Sequence, residues 1–500
     1  MTMRFHHLPA PKRLRMAMGA LSLLAVSLAA SACENPGGTK KREPAGIRVV
    51  SGAGVTDTVT AFLPQPLIVE VRDSAGELRA GIAVQFEASV ERLRGVDQPT
   101  LLLSAAAPDP YQWAATAVTD ATGRAVMRVR MGIVAAAGTV TITAPTLGLA
   151  SSASFTINAG APVQLTVSPA DTAVFAGGSY TLRVGSTDRW WNTIPTPTHS
   201  TASSATSVAT VSGATVGGQA VGRATLTVSA GALSRTVAVS VVPQGYLLAV
   251  GPDGVYGFNL DGSSYKRIVA MSATRSPRWF PGAQTFVFST QHIGHAFVSD
   301  LNGNTRALVQ GTNPLAGEVW PHPSRDGQWV YFGGYNNGFR AYPYRVRVDG
   351  TGLQLVPGFV ANDRNQGYPT TSPTGDRVAY FHEGSTSRDV TMRILNMQTG
   401  QLVLQGVPGH TPEWSHGDTI AYLDVNGNSN GPIRLMSSAG VGDRQVGSGS
   451  YAFGIDWSPD DRWIAGYDVA SRRLEVVQVA TGLRIPLPYS EALSEPAWRP

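Results

Sequence analysis

Four histidines fall in loops between short apolar runs: His292 and His295 in Gln291-His292-Ile293-Gly294-His295, His382 in His382-Glu383-Gly384, and His410 after Gly409. Imidazoles gathered from separate loops can hold a divalent metal or exchange protons near neutral pH. Beside them in sequence, Tyr335, Asn337, Phe339 and Arg340 mix aromatic rings with amide and guanidinium donors, the chemistry of a protein or glycan contact. Three uses compete for these residues: plain polar loops of a scaffold, a binding face, or a metal-dependent, lyase-like site. The histidine spacing argues against the last, because His-x-x-His on a loop lacks the one-face geometry of a zincin helix, and His382-Glu383 has no second His at that spacing. Other chemistries lack their motifs. There is no Gly-x-Ser-x-Gly, no Gly-Lys-Ser/Thr phosphate loop, and with 1 Cys no Cys-based zinc site. The sequence therefore assigns no catalytic residue, no metal ligand and no cofactor. Its reading is a non-catalytic binding, adhesion or scaffold protein, with a metal-dependent polysaccharide lyase or hydrolase as the alternative.

A repeat must position these loops. Its corners read Arg278-Trp279-Phe280-Pro281, Pro323-Ser324-Arg325-Asp326-Gly327, Thr371-Ser372-Pro373-Thr374-Gly375, Glu413-Trp414-Ser415-His416-Gly417, Asp456-Trp457-Ser458-Pro459-Asp460 and Ala497-Trp498-Arg499-Pro500. Spacings of 44, 48, 43, 43 and 41 residues, with several short strands per unit, are the signature of a β-propeller. Each corner leads into an apolar strand such as Phe286-Val287-Phe288 or Ile420-Ala421-Tyr422. The region opens at Tyr246-Leu247-Leu248-Ala249-Val250, which matches a second strand, and its last corner matches a first strand. The two are expected to complete one blade, giving six blades closed by end-strand pairing.

These corners resemble the Trp-Ser-Pro-Asp-Gly repeats of the TolB family of six-bladed propellers, Trp457-Ser458-Pro459-Asp460 most closely. Pro323 and Thr371 depart from the Trp of that pattern. The resemblance covers residues 245–500 and implies a fold. It also implies that loops after each second strand and loops entering each first strand share one face, which would carry His292, His295, His382 and His410 together with Tyr335, Phe339 and Tyr342.

Ahead of the repeat, residues 45–159 and 160–243 alternate in short strands, as β-sandwiches do. The segment Thr119-Asp120-Ala121-Thr122-Gly123-Arg124-Ala125 resembles invasin-type bacterial Ig-like domains. Ser207-Val208-Ala209-Thr210-Val211 and Gly222-Arg223-Ala224-Thr225-Leu226-Thr227-Val228 resemble a second group of bacterial Ig-like repeats. The expected fold class is thus all-β: two tandem Ig-like sandwiches, then the propeller. Trp190-Trp191 stand adjacent, so on a strand they would face opposite ways and could not share one core.

Residues 1–32 read as a signal peptide: Arg4, Lys12, Arg13 and Arg15, then the apolar run Met16 to Ala30. Ala30-Ser31-Ala32-Cys33 resembles a bacterial lipobox, which implies lipidation at Cys33 and a lipid-anchored tether over 33–44. Without the leader, the formal charge of +5 falls to +1, which gives no argument for nucleic acid. The expected partners are the membrane, through an N-terminal lipid, and an envelope protein or glycan. The expected location is the cell envelope, at the outer membrane.

Overall fold

The computed structural model describes residues 45–195, 198–290, 294–336, 340–361, 365–384, 389–424, 430–490 and 492–500. The signal-peptide, tether and Cys33 readings lie outside them, as do His292, Asn337 and Phe339. The described chain is all-β apart from one 3-10 turn at Pro145–Leu147.

Two sheets enclose the first core. One runs in the order Gly46–Ser51, Leu67–Arg72, Arg124–Met131, Leu101–Ser104; the other in the order Thr56–Thr58, Leu149–Asn158, Ala137–Ala144, Ala83–Ala88, Ala114–Val118. Period-2 alternation decides which side chains go inside. Val84, Phe86 and Ala88 of Ala83–Ala88 are buried between exposed neighbours, and Ala125, Met127, Val129 and Met131 answer from the facing sheet. A second set of sheets follows, centred on Gly222–Ala230 paired antiparallel with Leu233–Val242, which also takes Asp171–Phe175 in parallel.

Trp190 and Trp191 lie on a turn, not a strand, and they part company there. Trp190 packs on the core of the first unit, under the Arg189 guanidinium at 4.5 Å. Trp191, at φ 70°, stays 47% exposed with Arg94 4.5 Å above its ring. The turn also clamps the two units. Asn192 Nδ2 donates to Ile133 O (2.8 Å) and to Asp188 Oδ2 (2.9 Å), while Asn192 Oδ1 accepts from Ala135 N–H (2.8 Å). Asp188 accepts in turn from Gly160 N–H at 2.9 Å. Asn192→Ala strands buried partners on both sides, each costing about 1–3 kcal/mol. It is expected to lower the melting temperature of the first transition of the full chain by several degrees.

The second unit runs without a break into the propeller. Ala173, Val242, Phe175 and Val221 share a buried cluster with Leu247, Phe258, Trp463, Leu474 and Val476. Arg473 pairs with Asp171 at 2.7 Å across the seam.

The propeller sheets are built on one plan. Four are four-stranded, and the fifth has seven strands because the long strand Arg444–Trp457 pairs by its start with Gly431–Ser437 and by its end with Trp463–Asp468. The closing pairing is present: Ser494–Trp498 lies antiparallel to Tyr246–Gly251, with Leu247 opposite Trp498. The innermost strands, Thr274–Trp279, Gly317–Pro323, Gln366–Thr371, His410–Trp414, Arg444–Trp457 and Ser494–Trp498, touch one another in sequence, and the last returns to the first around a central channel.

The corners are turn chemistry. Ser458 Oγ donates to Asp460 Oδ1 (2.6 Å) and accepts from Trp463 N–H (2.9 Å); Ser324 repeats this with Asp326 and Trp329. Corner indoles tie neighbouring inner strands together, Trp457 Nε1 donating to Glu413 O (3.0 Å) and Trp279 Nε1 to Ala497 O (3.3 Å).

Every innermost strand also carries a bulge at the same place, where the ladder shifts register. The bulged residues Ser276, Trp320, Tyr368, Thr411, Phe453 and Glu495 all have φ between 48° and 61°. Five are followed by Pro and Phe453 by Gly454. A bulge leaves one residue unpaired, so a Pro without an N–H is tolerated there, and the bend re-aims the side chains that follow. Those side chains form the site.

Candidate binding site at the channel mouth

The residue just before each corner is Arg278, His322, Thr370, Glu413, Asp456 or Ala497. In an ordinary inner strand such positions would pack in the core. Here the bulge turns them onto the channel axis, where Arg278 and His322 both reach Glu413 in a sheet that is not their neighbour. Arg278 uses all five guanidinium N–H groups. Nε and Nη2 donate to Glu413 Oε1 at 3.2 and 2.6 Å, Nη2 also to Ile455 O (3.1 Å), and Nη1 to Pro277 O (2.9 Å) and Pro496 O (3.2 Å). Glu413 Oε2 lies 3.0 Å from His322 Nε2, and the other ring nitrogen of His322 lies 3.1 Å from Pro323 O.

Burial and charge act against each other in this ring. Glu413 is buried, yet the Arg278 charge and the nearby His322 hold its carboxyl below the usual range. Asp456 goes the other way. Burial, with repulsion from Glu413, outweighs attraction from Arg278 and pushes its carboxyl up to about 6. The backbone N–H groups of Trp498 (2.6 Å) and Trp457 (3.0 Å) cap its two oxygens.

Above the ring, on the corner side, opens a cavity of about 300 Å³. Trp279, Trp414, Trp457 and Trp498 wall it with Pro281, Pro323 and Pro459, and Arg325 and His416 stand beside them. Below the ring the channel is closed. Trp320 stacks on Tyr368 at 4.4 Å, and the void between them and Arg278 is about 10 Å³. Gly367 makes room for this plug, since a Cβ there would sit 2.4 Å from the Trp320 ring.

The loop residues read from sequence sit at the other end of the inner strands. His295 Nδ1 lies 3.2 Å from the buried Glu318, which also accepts from Ala296 N–H. Tyr335 and His410 converge on the plug: Tyr335 lies 6.4 Å from the Trp320 ring, and His410 stacks on Phe381 at 4.7 Å and meets Tyr368 edge-on at 4.8 Å. That enclosure pulls the His410 imidazole down to about 4, so it is neutral at physiological pH. His382 and Tyr342 are buried within their sheets rather than presented to solvent, because Arg377–Glu383 and Ala341–Arg347 are interior strands with neighbours on both sides. Arg340 is exposed, its backbone N–H bonded to Asn336 Oδ1 at 2.9 Å. Among the described residues, no three His, Cys, Asp or Glu side chains gather as a metal-holding group.

The ring itself went unread in the sequence. Its signal was present: a polar residue stands directly before five of the six corners, where a core strand calls for an apolar one.

No family model matches the chain. An uncharacterized protein of Agrobacterium fabrum is 24% identical over 205 residues, which is 37% of this chain and 68% of that protein. Among solved structures, TolB from Acinetobacter baumannii is similar over 56% of this chain and 80% of its own, at 16% identity and TM-score 0.43. A putative TolB from Agrobacterium tumefaciens is similar over 52% of this chain and 100% of its own, at 11% identity and TM-score 0.37. An oligogalacturonate lyase in complex with manganese is similar over 49% and 73%, at 13% identity and TM-score 0.31. The propeller assignment rests on the sheets and their closed ring, independently of these likenesses.

Proposed function

We propose that the chain is a non-catalytic binding or scaffold lipoprotein of the bacterial cell envelope, and that the corner-side channel mouth is its contact site. In this reading residues 1–32 are a signal peptide, Cys33 carries the lipid, and 33–44 tether the folded part. Residues 45–159 and 160–243 are Ig-like spacers, and 245–500 form a six-bladed propeller in which the seven-stranded sheet counts as two blades sharing Arg444–Trp457. The clamp at Asn192 and the shared core at Val242 support a stiff spacer that holds the propeller away from the membrane.

One observation carries the binding reading. The cavity is roomy and aromatic, but Arg278, Glu413 and His322 on its floor are engaged with one another and Asp456 is capped by backbone N–H groups. Arg278 has no free donor, and Glu413 is held by Arg278 and His322. A general acid or base must reach the proton it moves, whereas a preformed pocket lined with indoles suits recognition.

A photo-crosslinking residue placed at Pro281 on the cavity wall is expected to capture a discrete envelope partner in the source bacterium. The same residue in place of His295, at the far end of the channel, is expected to capture none. The opposite pattern would move the contact site to the far face. Cys33→Ser should release the protein from the membrane fraction, and retention there would remove the lipid anchor from the account.

A further inference from the structure

Hydrogen-bond accounting around the mouth narrows its ligand; the step rests on the mouth being a contact site. Most polar groups that line the cavity already have protein partners. Arg278 is saturated. The indole N–H of Trp279, Trp414 and Trp457 donate to Ala497 O, Asp418 Oδ1 and Glu413 O. Ser324 Oγ donates to Asp326, and the His416 ring lies 3.0 Å from Asp461 Oδ1. Among the described residues the Trp498 indole N–H has no such bond, and Arg325 leaves the most donors unused. It projects from the corner Pro323–Gly327, half-buried, and is anchored by one bond, Nη2 to Trp414 O at 2.9 Å. Among the described residues no carboxylate forms an ion pair with it. Four of its five N–H groups therefore have no protein acceptor there.

A partly buried guanidinium that no carboxylate pairs directly is costly, and the fork of a guanidinium matches a carboxylate bidentately. Burial disfavours the charge of Arg325, and attraction from Asp456, Asp461 and Glu413, none of them paired with it, only partly offsets that. Much of the remaining wall is indole faces and proline rings, which accommodate an apolar body. We infer that the mouth takes a peptide carboxylate beside an apolar side chain, as at a peptide's C-terminus, with Arg325 gripping the carboxylate and the tryptophan-proline walls enclosing the side chain. A cavity of about 300 Å³ holds one large side chain and its backbone.

The test is calorimetric titration of the purified folded chain with the tripeptide N-acetyl-Ala-Ala-Phe as the free acid and as its C-terminal amide. The acid is expected to bind at least 10-fold more tightly than the amide. Arg325→Gln should bind both forms equally weakly while melting as the wild type does. Arg462→Gln, an exposed arginine in another corner, should keep the preference. Equal binding of acid and amide by the wild type, an acid preference that survives Arg325→Gln, or no binding of either would overturn the inference. If that happens while the crosslink at position 281 persists, the mouth remains a contact site with a different ligand. If the acid preference holds but the crosslink at 281 fails, the carboxylate site stands and the envelope partner does not use it.

Discussion

Glu413→Ala is expected to destabilise the propeller by about 3–5 kcal/mol, the cost of leaving a buried charge without its partner. Arg278 would keep its three carbonyl acceptors but lose the carboxylate that receives two of its five bonds. No water-exposed position is within easy reach, because Arg278 is only 7% exposed and its guanidinium is tied to its own strand and to two other sheets. The loss would appear in the propeller's own denaturation transition, followed by fluorescence of its tryptophans. The pairing also sets a pH dependence. The Glu413 carboxyl sits below its unfolded value, so its contribution is present above the ordinary carboxylate range and disappears as pH falls through the folded value. The double variant Arg278→Met/Glu413→Leu should recover much of the stability, since buried ion pairs exchange well for apolar residues of similar size. A change under 1 kcal/mol for Glu413→Ala would mean that Arg278 and Glu413 are not a buried, mutually dependent pair.

Asp456→Asn should act with the opposite sign. The folded carboxyl stands at about 6 against an ordinary value of 3.8. A carboxyl raised by folding contributes stability that is full below its unfolded value and is lost as pH rises through the folded one. Above pH 7 the wild type therefore holds an unfavourable buried charge that the amide lacks. Each unit is worth about 1.4 kcal/mol, so the stability of Asp456→Asn relative to wild type should improve by roughly 2–3 kcal/mol between pH 4 and pH 8. The amide has one oxygen for the two backbone N–H groups of Trp457 and Trp498, which adds a constant offset. The change with pH, rather than the value at one pH, is the readout. A parallel pair of pH–stability curves would show that Asp456 is not shifted in the folded protein.

The architecture was legible because it repeats. Corner spacing announced the propeller, and the match of Tyr246 to a second strand anticipated its pairing with Ser494–Trp498. At the corners, Ser458 and Asp460 make turn bonds and Trp457 ties its strand to the next inner strand. Trp190 and Trp191 were read as unable to share a core, and the turn at Asp188 gives each its own environment.

The site was harder to read for two physical reasons. Arg278 and Glu413 are 135 residues apart and meet only because the ring of inner strands closes. Their side chains face the axis only because a bulge precedes them, and a bulge at an x-Pro step does not disturb the apolar pattern that marks a strand. The recurring Pro277, Pro321, Pro369, Pro412 and Pro496 were the visible trace of that bulge. Attention to loops led instead to His382, buried in its sheet, and to His410, half-buried against the Phe381 and Tyr368 rings.

Site-directed blockade tests the central claim most directly. In a Cys33→Ser background, a single cysteine at His416 on the cavity rim, or at Arg340 on an exposed loop of the far face, can be labelled with a bulky maleimide. Capture of the partner identified by crosslinking at position 281 is then measured with and without label. The expected result is loss of capture when position 416 is labelled and full capture when position 340 is labelled. Full capture with position 416 blocked, or loss only with position 340 blocked, would contradict a binding site at the corner-side mouth.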